Sequence, residues 1–539
     1  MKTLKIILMC CLCSFAVVAQ NRYHVNQTKG NDGNDGKSWS NAFATLQRAL
    51  DDAKADDEIW VAAATYLPTQ KSIEEDDDEN PASDRYKSFV ITNGIKLYGG
   101  FPAQADDNTG MNQRDWETHR TILSGDLNHN DGDNFTNMED NVYRVVILYN
   151  TDESTVIDGF TVSGGNYDES WVFIRITLGS GIVGISDASG TSSSPTLKNM
   201  IIERNVSRAG GAGFSNKSVT GDACPVISNT IIRHNKSGEY GGGFANEARL
   251  KSSPILENVI ISGNQAYAGG GMFCMSEGTE TSPVLTNVLI HGNKAELNYG
   301  GACIYSFTGN IKPVFTNVTI TGNKADGLAN DIGGTVGGLF CGTETALSTP
   351  EIRNTVIAGN KAPRNYEGVD SQNDFVSADN SGFHSNIQFS MIGEPSSILS
   401  IGFVRPIDAD NAPTTEGDYR PDNGSPLINK GNNTFVTATV DLAGKPRIYD
   451  QTVDIGAYEY QQISTVDIQD IIVDNNIWTE NGSLFVRTGQ PTTVRIFSID
   501  GMLIQQISLG AGTKAISLPQ GFYLVSLNNE KATKVYVSK

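Results

Sequence analysis

One spacing constrains this chain more than any other. Proline recurs at Pro195, Pro225, Pro254, Pro283, Pro313 and Pro350, in steps of 30, 29, 29, 30 and 37 residues. Four residues after each proline stands an asparagine: Asn199, Asn229, Asn258, Asn287, Asn317 and Asn354. Ten after each stands another: Asn205, Asn235, Asn264, Asn293, Asn323 and Asn360. Seven after is always isoleucine (Ile202, Ile232, Ile261, Ile290, Ile320, Ile357), two after is always apolar, and three after is polar. Such alternation belongs to strands and not to helices. A unit of about thirty residues with no helical period reads as one turn of a parallel β-solenoid.

Stacking explains the asparagines. Successive turns lie about 4.8 Å apart, so identical residues line up along the axis. A column of asparagines at a bend passes amide hydrogen bonds from rung to rung and satisfies polar groups that the turn would bury. Both columns are therefore read as structural. The glycine clusters, such as Gly241 to Gly243 and Gly269 to Gly271, permit bends that a Cβ would obstruct. Upstream, "EIWVAAATY", "SFVITNGIKLYGGF", "YRVVILYN" and "TVIDGFTVSGG" read as less regular strands of the same kind. Before them, Phe43, Leu46, Ala49, Leu50 and Ala53 mark one face of a short helix with Ser40 as its expected N-cap. That helix would cover the open edge of the first rung. The acidic run "EEDDDENPASD" reads as a solvated loop.

With 539 residues the chain is too long for one ordinary core and suits an elongated array with extra modules. A formal charge of −21 argues against nucleic acid as a partner. It also weighs against unassisted binding of polyanionic glycans, unless a local basic site or a bridging cation reverses the balance. Residues 1–19 read as a signal peptide: Lys2 and Lys5, then "IILMCCLCSFAVV", then Val17-Val18-Ala19. Cys10, Cys11 and Cys13 raise a lipoprotein anchor, but none follows the small residue such processing prefers, so cleavage after Ala19 is expected. No later segment is apolar enough to span a bilayer. The expectation is a monomer that is secreted or attached to the outer cell surface. Cys274, Cys303 and Cys341 follow glycine clusters and are expected at related places in successive rungs, as buried free thiols. A disulfide between adjacent rungs is the geometric alternative for them. Cys224 completes the set, whose spacing matches neither a zinc site nor a small disulfide scaffold.

Longer stretches carry a resemblance. "YHVNQTKGNDGNDGKSWSNAFATLQRALDDAKADDEIWVAAATYLPT", "LYGGF", "QRDWETHRTILSGD" and "IDGFTVSGGN" resemble the secreted right-handed parallel β-helix proteins of bacteria, and the "GNxA…GGG" rungs are similar to polymorphic outer-membrane-protein repeats. "DYRPDNGSPLINKGN" and "DLAGKPRIYDQTVDIGAYEY" resemble the closing segment of the choice-of-anchor Q group. The part from about Ile463 resembles the C-terminal sorting domain of type IX secretion, with Asp500-Gly501 and Pro519-Gln520-Gly521 where that domain's hairpin turns would fall. The resemblance implies an all-β chain: a right-handed, pectin-lyase-like solenoid over 20–460 with an N-terminal capping helix. Regular rungs run over 195–360 and an irregular closing segment over 361–460, and a small β-sandwich over 461–539 would engage the type IX machinery. It implies little about chemistry, because this architecture carries enzymes and adhesins alike.

Candidate chemistry is sparse. The outward column eight after proline reads Glu203, Arg233, Ser262, His291, Thr321, Ala358, and the next reads Arg204, His234, then glycines. No ladder of carboxylates seats paired-acid hydrolysis there. Glu203, Arg204, Arg233 and His234 form the best catalytic constellation: an arginine pair to hold a carboxylate while His234 or an arginine takes a proton. Cross-rung pairing of Glu203 with Arg233 explains the same residues without catalysis and is preferred. In "GDLNHNDGDN", Asp126, Asn128, Asn130, Asp131 and Asp133 put oxygens at the alternating spacing of calcium loops, although Gly132 falls one residue late. An Asx-rich turn is the competing reading, and "GNDGNDG" at Gly30 is a weaker calcium candidate. The apolar column six after proline (Ile201, Ile231, Ile260, Leu289, Thr319, Val356) points outward, as plain exterior or as a contact stripe. Exposed aromatic rows are not evident in the repeats. The leading expectation is a non-catalytic surface protein that binds glycan or a host or cell-surface ligand. A polysaccharide lyase or glycoside hydrolase is the alternative, and a structural spacer the third.

Overall fold

The computed structural model describes residues 20–72, 83–168, 179–188, 190–327, 335–363, 374–378, 385–393, 398–461, 475–480, 483–499, 501–528 and 532–537. The expected signal peptide and most of the acidic run lie outside them. The chain divides into two compact units, Met1–Gln461 and Gln462–Lys539.

The first unit is a parallel β-helix. Its rungs form an eighteen-stranded sheet, a nine-stranded sheet, and narrower sheets of six and three strands, all joined by parallel pairings. Register follows the proline alignment: Ile202 pairs with Ile232, then Ile261, Ile290, Ile320 and Ile357. Side chains two and seven after proline are fully buried on all six rungs, because alternate residues of each strand face the bore. Stacking starts well before the repeats, with Arg22–Val25 paired to Glu58–Ala62.

The two asparagine columns serve different needs. Those ten after proline are buried and pass Nδ2–H to Oδ1 bonds of 2.9–3.0 Å from Asn205 through Asn235, Asn264, Asn293 and Asn323 to Asn360. Asp374 accepts from both the backbone and the amide of Asn360 and ends the ladder. Those four after proline all sit at φ between 48° and 55°, a left-handed bend that asparagine tolerates better than most residues. Glycine also does more than bend. A Cβ on Gly271 would lie 2.6 Å from the Gly301 carbonyl and 3.0 Å from Asn293 Nδ2, so this column admits only glycine beside the ladder.

The capping helix spans Leu46–Asp52 and buries Leu46, Ala49 and Leu50, with Phe43 just before it, against the end of the core. Its N-cap is Thr45, whose hydroxyl accepts from Arg48 N–H, and not Ser40, whose own N–H donates to Asp107. The "GNDGNDG" loop explains the shift: Asp32 accepts from the N–H groups of Ala44 and Thr45 and from the Thr45 hydroxyl, fixing the turn into the helix. The Asp32 carboxylate is thus taken up by structure.

All four described cysteines are free. Cys274 and Cys341 share a core column with Ile304 between them, whereas Cys303 lies one register position aside, between Phe273 and Phe340. The related placement expected of the three therefore holds for two.

The segment from Ile398 to Tyr460 folds back over the outer face of the long sheet. Ile398, Ile401, Phe403, Tyr419, Leu427, Ile455 and Ala457 bury the outward column at Leu289 and Val356, so that part of the stripe is covered by the protein's own chain. On one side the segment is tied to bend asparagines: Asn287 to the Val440 carbonyl, Asn317 to that of Asp454 and Asn354 to that of Asn432. On the other it lies against the glycines nine after proline, with Thr414 donating to the Gly292 carbonyl. Within it, the fully buried Arg447 pairs with the equally buried Glu459 at 2.9 Å.

The second unit is a small β-sandwich. Strands 475–480, 483–488 and 512–517 form one antiparallel sheet, and 492–498, 503–509, 521–527 and 533–537 the other. Leu484, Val486 and Ile516 meet Val494, Ile496 and Val525 between them. Gly501, at φ 87°, turns a hairpin between two paired strands. Asp500 lies outside the described residues. Pro519 to Gly521 joins strands of different sheets and makes no hairpin, because 512–517 pairs with 483–488 while 521–527 pairs with 492–498.

Candidate functional site

The face of the long sheet left open by the closing segment forms a trough. Its floor is built from the outward columns six and eight after proline: Ile231, Ile260 and Leu289 alternate with Arg233, Ser262 and His291 along successive rungs. The closing segment supplies one wall, with Arg405, Thr415, Asp418, Tyr419, Arg420 and Tyr458, and the open groove has a volume of about 730 Å³. Arg405 lies 3.4 Å from Glu416, and Arg420 donates from Nε to Asp418 at 2.9 Å; both guanidinium groups remain well exposed, at 61% and 59%. His291 is buried under Tyr419, with ring centres 4.7 Å apart, and burial pushes its imidazole down to about 3. It is neutral at physiological pH. Burial likewise pushes the Tyr419 hydroxyl up to about 12.

The four residues read from sequence as a constellation divide here. Glu203 and Arg233 pair across rungs, with Arg233 Nε and Nη2 both 2.7 Å from Glu203 Oε2. Arg204 turns the other way: its guanidinium donates to the Gly132 carbonyl and lies 3.7 Å from Asp133. His234 is held below its usual pKa by desolvation first and by the Arg233 charge second, with Glu203 opposing. Arg204 and His234 occupy left-handed backbone at φ 57° and 51°, in a column that continues as Gly263, Gly292, Gly322 and Gly359. The glycines coincide with the closing segment, since a Cβ on Gly292 would lie 2.1 Å from the Thr414 carbonyl oxygen. Where that cover ends, side chains replace glycine and project at the trough's edge. Each carries a backbone cost of about 1–2 kcal/mol that glycine at the same bend avoids.

Beyond Arg204 the same face opens into a second, polar cleft of about 440 Å³, lined by Ser124, Asp126, Asp131, Gly132, Asp133, Ser163 and Arg204. Two sequence candidates thus meet: the oxygen-rich loop and one of the arginines. Within the loop the expected ligand set comes apart. Asp126 accepts from the N–H groups of Asn130 and Asp131, Asn128 N–H donates to Asp140, and Asp133 is 96% exposed on the rim. Among the described residues, no three His, Cys, Asp or Glu side chains converge as metal ligands. Asp131 stands apart, raised to about 6 by burial first, with the charges of Asp126 and Asp140 adding to it against an Asn141 hydrogen bond and Arg204.

The trough floor spans the rungs of Arg233, Ser262 and His291. Two rung steps of about 4.8 Å separate its first rung from its last, about 10 Å along the axis. Both floor columns are legible in the repeat, whereas Arg405, Asp418, Arg420 and Tyr458 arrive from far along the chain. Sequence reasoning missed an aromatic corner: Tyr240 and Tyr267 are exposed, and Tyr240 stacks on Phe273 at 4.8 Å as Tyr299 does on Phe340 at 4.6 Å. A tyrosine beside each glycine cluster ("EYGGG", "AYAGGG", "NYGG") is the signal that would have found it.

No family model matches the chain, and no curated protein does. Among solved structures it is similar to a pectate lyase, Pel9A, at 13% identity and TM-score 0.43, over 83% of this chain and 98% of that one. It is also similar to a GH136 lacto-N-biosidase from Eubacterium ramulus (13%, TM-score 0.29, 68% of each chain). A rhamnogalacturonan lyase follows at 11% identity and TM-score 0.27, over 74% of this chain and 96% of that one. At such identities the likeness is one of fold alone.

Proposed function

We propose that this protein binds an anionic polysaccharide along the trough and holds it without cutting it. The observation that carries the reading is the groove lining: Arg405 and Arg420 stay well exposed beside Arg233 above an apolar floor, each arginine paired with one carboxylate, Glu416, Asp418 and Glu203 respectively. Guanidinium groups on an apolar floor suit a polymer that presents carboxylates or sulfates on one edge and C–H faces on the other. A polyanion takes hydrogen bonds from the exposed guanidinium groups in competition with Glu416 and Asp418, and this is how an acidic protein holds it.

The test is retention of the protein on polygalacturonate and on an uncharged polymer, with the polymer sized afterwards. Retention on the acidic polymer alone, weakened by salt and by Arg405→Ala with Arg420→Ala, is expected. Loss of charged hydrogen bonds should reduce affinity by about tenfold or more. Equal retention on both polymers refutes the charge argument. Shorter products favour the lyase or hydrolase reading, supported by the left-handed backbone of Arg204 and His234, and direct mutation to those two residues and Arg233. No retention leaves a structural spacer. Export by the leader at 1–19, and sorting to the cell surface through the C-terminal unit, complete the proposal. Loss of surface display on truncation after Gln461 is the expected check.

A further inference from the structure

Two buried oxygens in the loop behind Arg204 have no partner. Asn141 is completely buried, and its amide Nδ2 donates to Asp131 Oδ2 at 3.0 Å. The amide oxygen Asn141 Oδ1 and the second carboxylate oxygen, Asp131 Oδ1, are buried without a hydrogen bond. Two buried acceptors on groups joined by one hydrogen bond are costly unless something electropositive satisfies them. We propose that Asp131 and Asn141 hold a divalent cation of the calcium class, with waters from the adjoining cleft completing its shell.

Three features support a cation over a lone water. The donors are hard oxygens, one carboxylate and one amide, as calcium prefers. The charges of Asp126 and Asp140 act on Asp131 and are opposed there by Arg204 alone, whose guanidinium is itself engaged by the Gly132 carbonyl and Asp133. The 440 Å³ cleft gives an entry path and room for the several waters that a six- to eight-coordinate ion needs. The ligand set differs from the one suggested by spacing: Asp131 stays, Asn141 enters, and Asp126, Asn128, Asn130 and Asp133 fall away. With only one carboxylate in direct contact, the affinity belongs to the weak range of extracellular calcium modules, Kd of about 0.1–1 mM.

The experiment is calorimetric titration of the chelator-treated full chain with CaCl2, alongside thermal unfolding with and without calcium. One equivalent bound and a raised Tm are expected. Asp131→Asn and Asn141→Leu should each weaken binding by about tenfold or more, while Asp133→Asn leaves it unchanged. Should Asn141→Leu fail to fold, the near-isosteric Asp131→Asn carries the comparison, with circular dichroism reporting its fold. Absence of binding at millimolar calcium, or an Asp133→Asn loss as large as that of Asp131→Asn, overturns the proposal. Calcium binding is read without any glycan, so this result is independent of the trough's function.

Discussion

Removing one link of the buried ladder should cost far more than removing its counterpart in the bend column. The Asn264 side chain makes four hydrogen bonds: Nδ2 donates to the Ile232 carbonyl and to Asn293 Oδ1, and Oδ1 accepts from both the N–H and the Nδ2–H of Asn235. In Asn264→Ala the Asn235 backbone N–H loses its acceptor and the Ile232 carbonyl loses a donor, both in the dry interior. At about 1–3 kcal/mol for each stripped buried group, the loss is about 2–6 kcal/mol. Asn229→Ala, by contrast, removes an exposed amide that accepts one bond of 3.2 Å from Asn258. It leaves alanine at φ 48°, for about 1–2 kcal/mol. The assay is urea unfolding of both variants, with hydrogen exchange to locate the loss. Exchange should accelerate in the rungs flanking Asn264 and stay near normal around Asn229. Equal destabilisation by the two substitutions would refute the separation of the columns into a ladder and a backbone device.

Two further outcomes follow from the same geometry. Gly292→Ala places a methyl group against the Thr414 carbonyl at a left-handed φ of 56°, so the closing segment should lift there. A loss of about 2–5 kcal/mol and faster proteolysis between Phe403 and Tyr419 are expected; unchanged resistance would show that the segment is held elsewhere. Asp374 is raised above its usual pKa by burial, with the Asn360 bonds opposing. Its folded pKa therefore lies above the unfolded one, so the stability it gives is complete below the unfolded value and is lost as pH rises through the folded one. Asp374→Asn extends the amide ladder without a buried charge and should raise Tm at neutral pH but not in acid. A variant less stable than the parent at pH 7 contradicts this.

The sequence by itself determined the rung. Six prolines with asparagine at two fixed offsets and isoleucine at a third establish strand, bend and inward face, because stacking makes each repeat solve the same local problem. It also determined that Glu203 and Arg233 would be neighbours, since register turns an offset of thirty residues into one rung step. What depends on chain far away was not legible. The closing segment could be recognised from "DYRP" and "GAYEY", but only the tertiary structure shows it lying between the bend asparagines and the glycine column. That placement brings Arg405 and Arg420 to the trough. Likewise, spacing marked the Asp126–Asp133 loop as oxygen-rich, and the fold decided which oxygens turn inward. The backbone amides of the loop take up Asp126, and burial of Asn141 leaves the Asp131 carboxylate with an oxygen to satisfy. A repeating sequence fixes contacts that recur every turn through translation along the axis. A site made where an irregular segment crosses those turns depends on a single long-range packing choice, which no local pattern records.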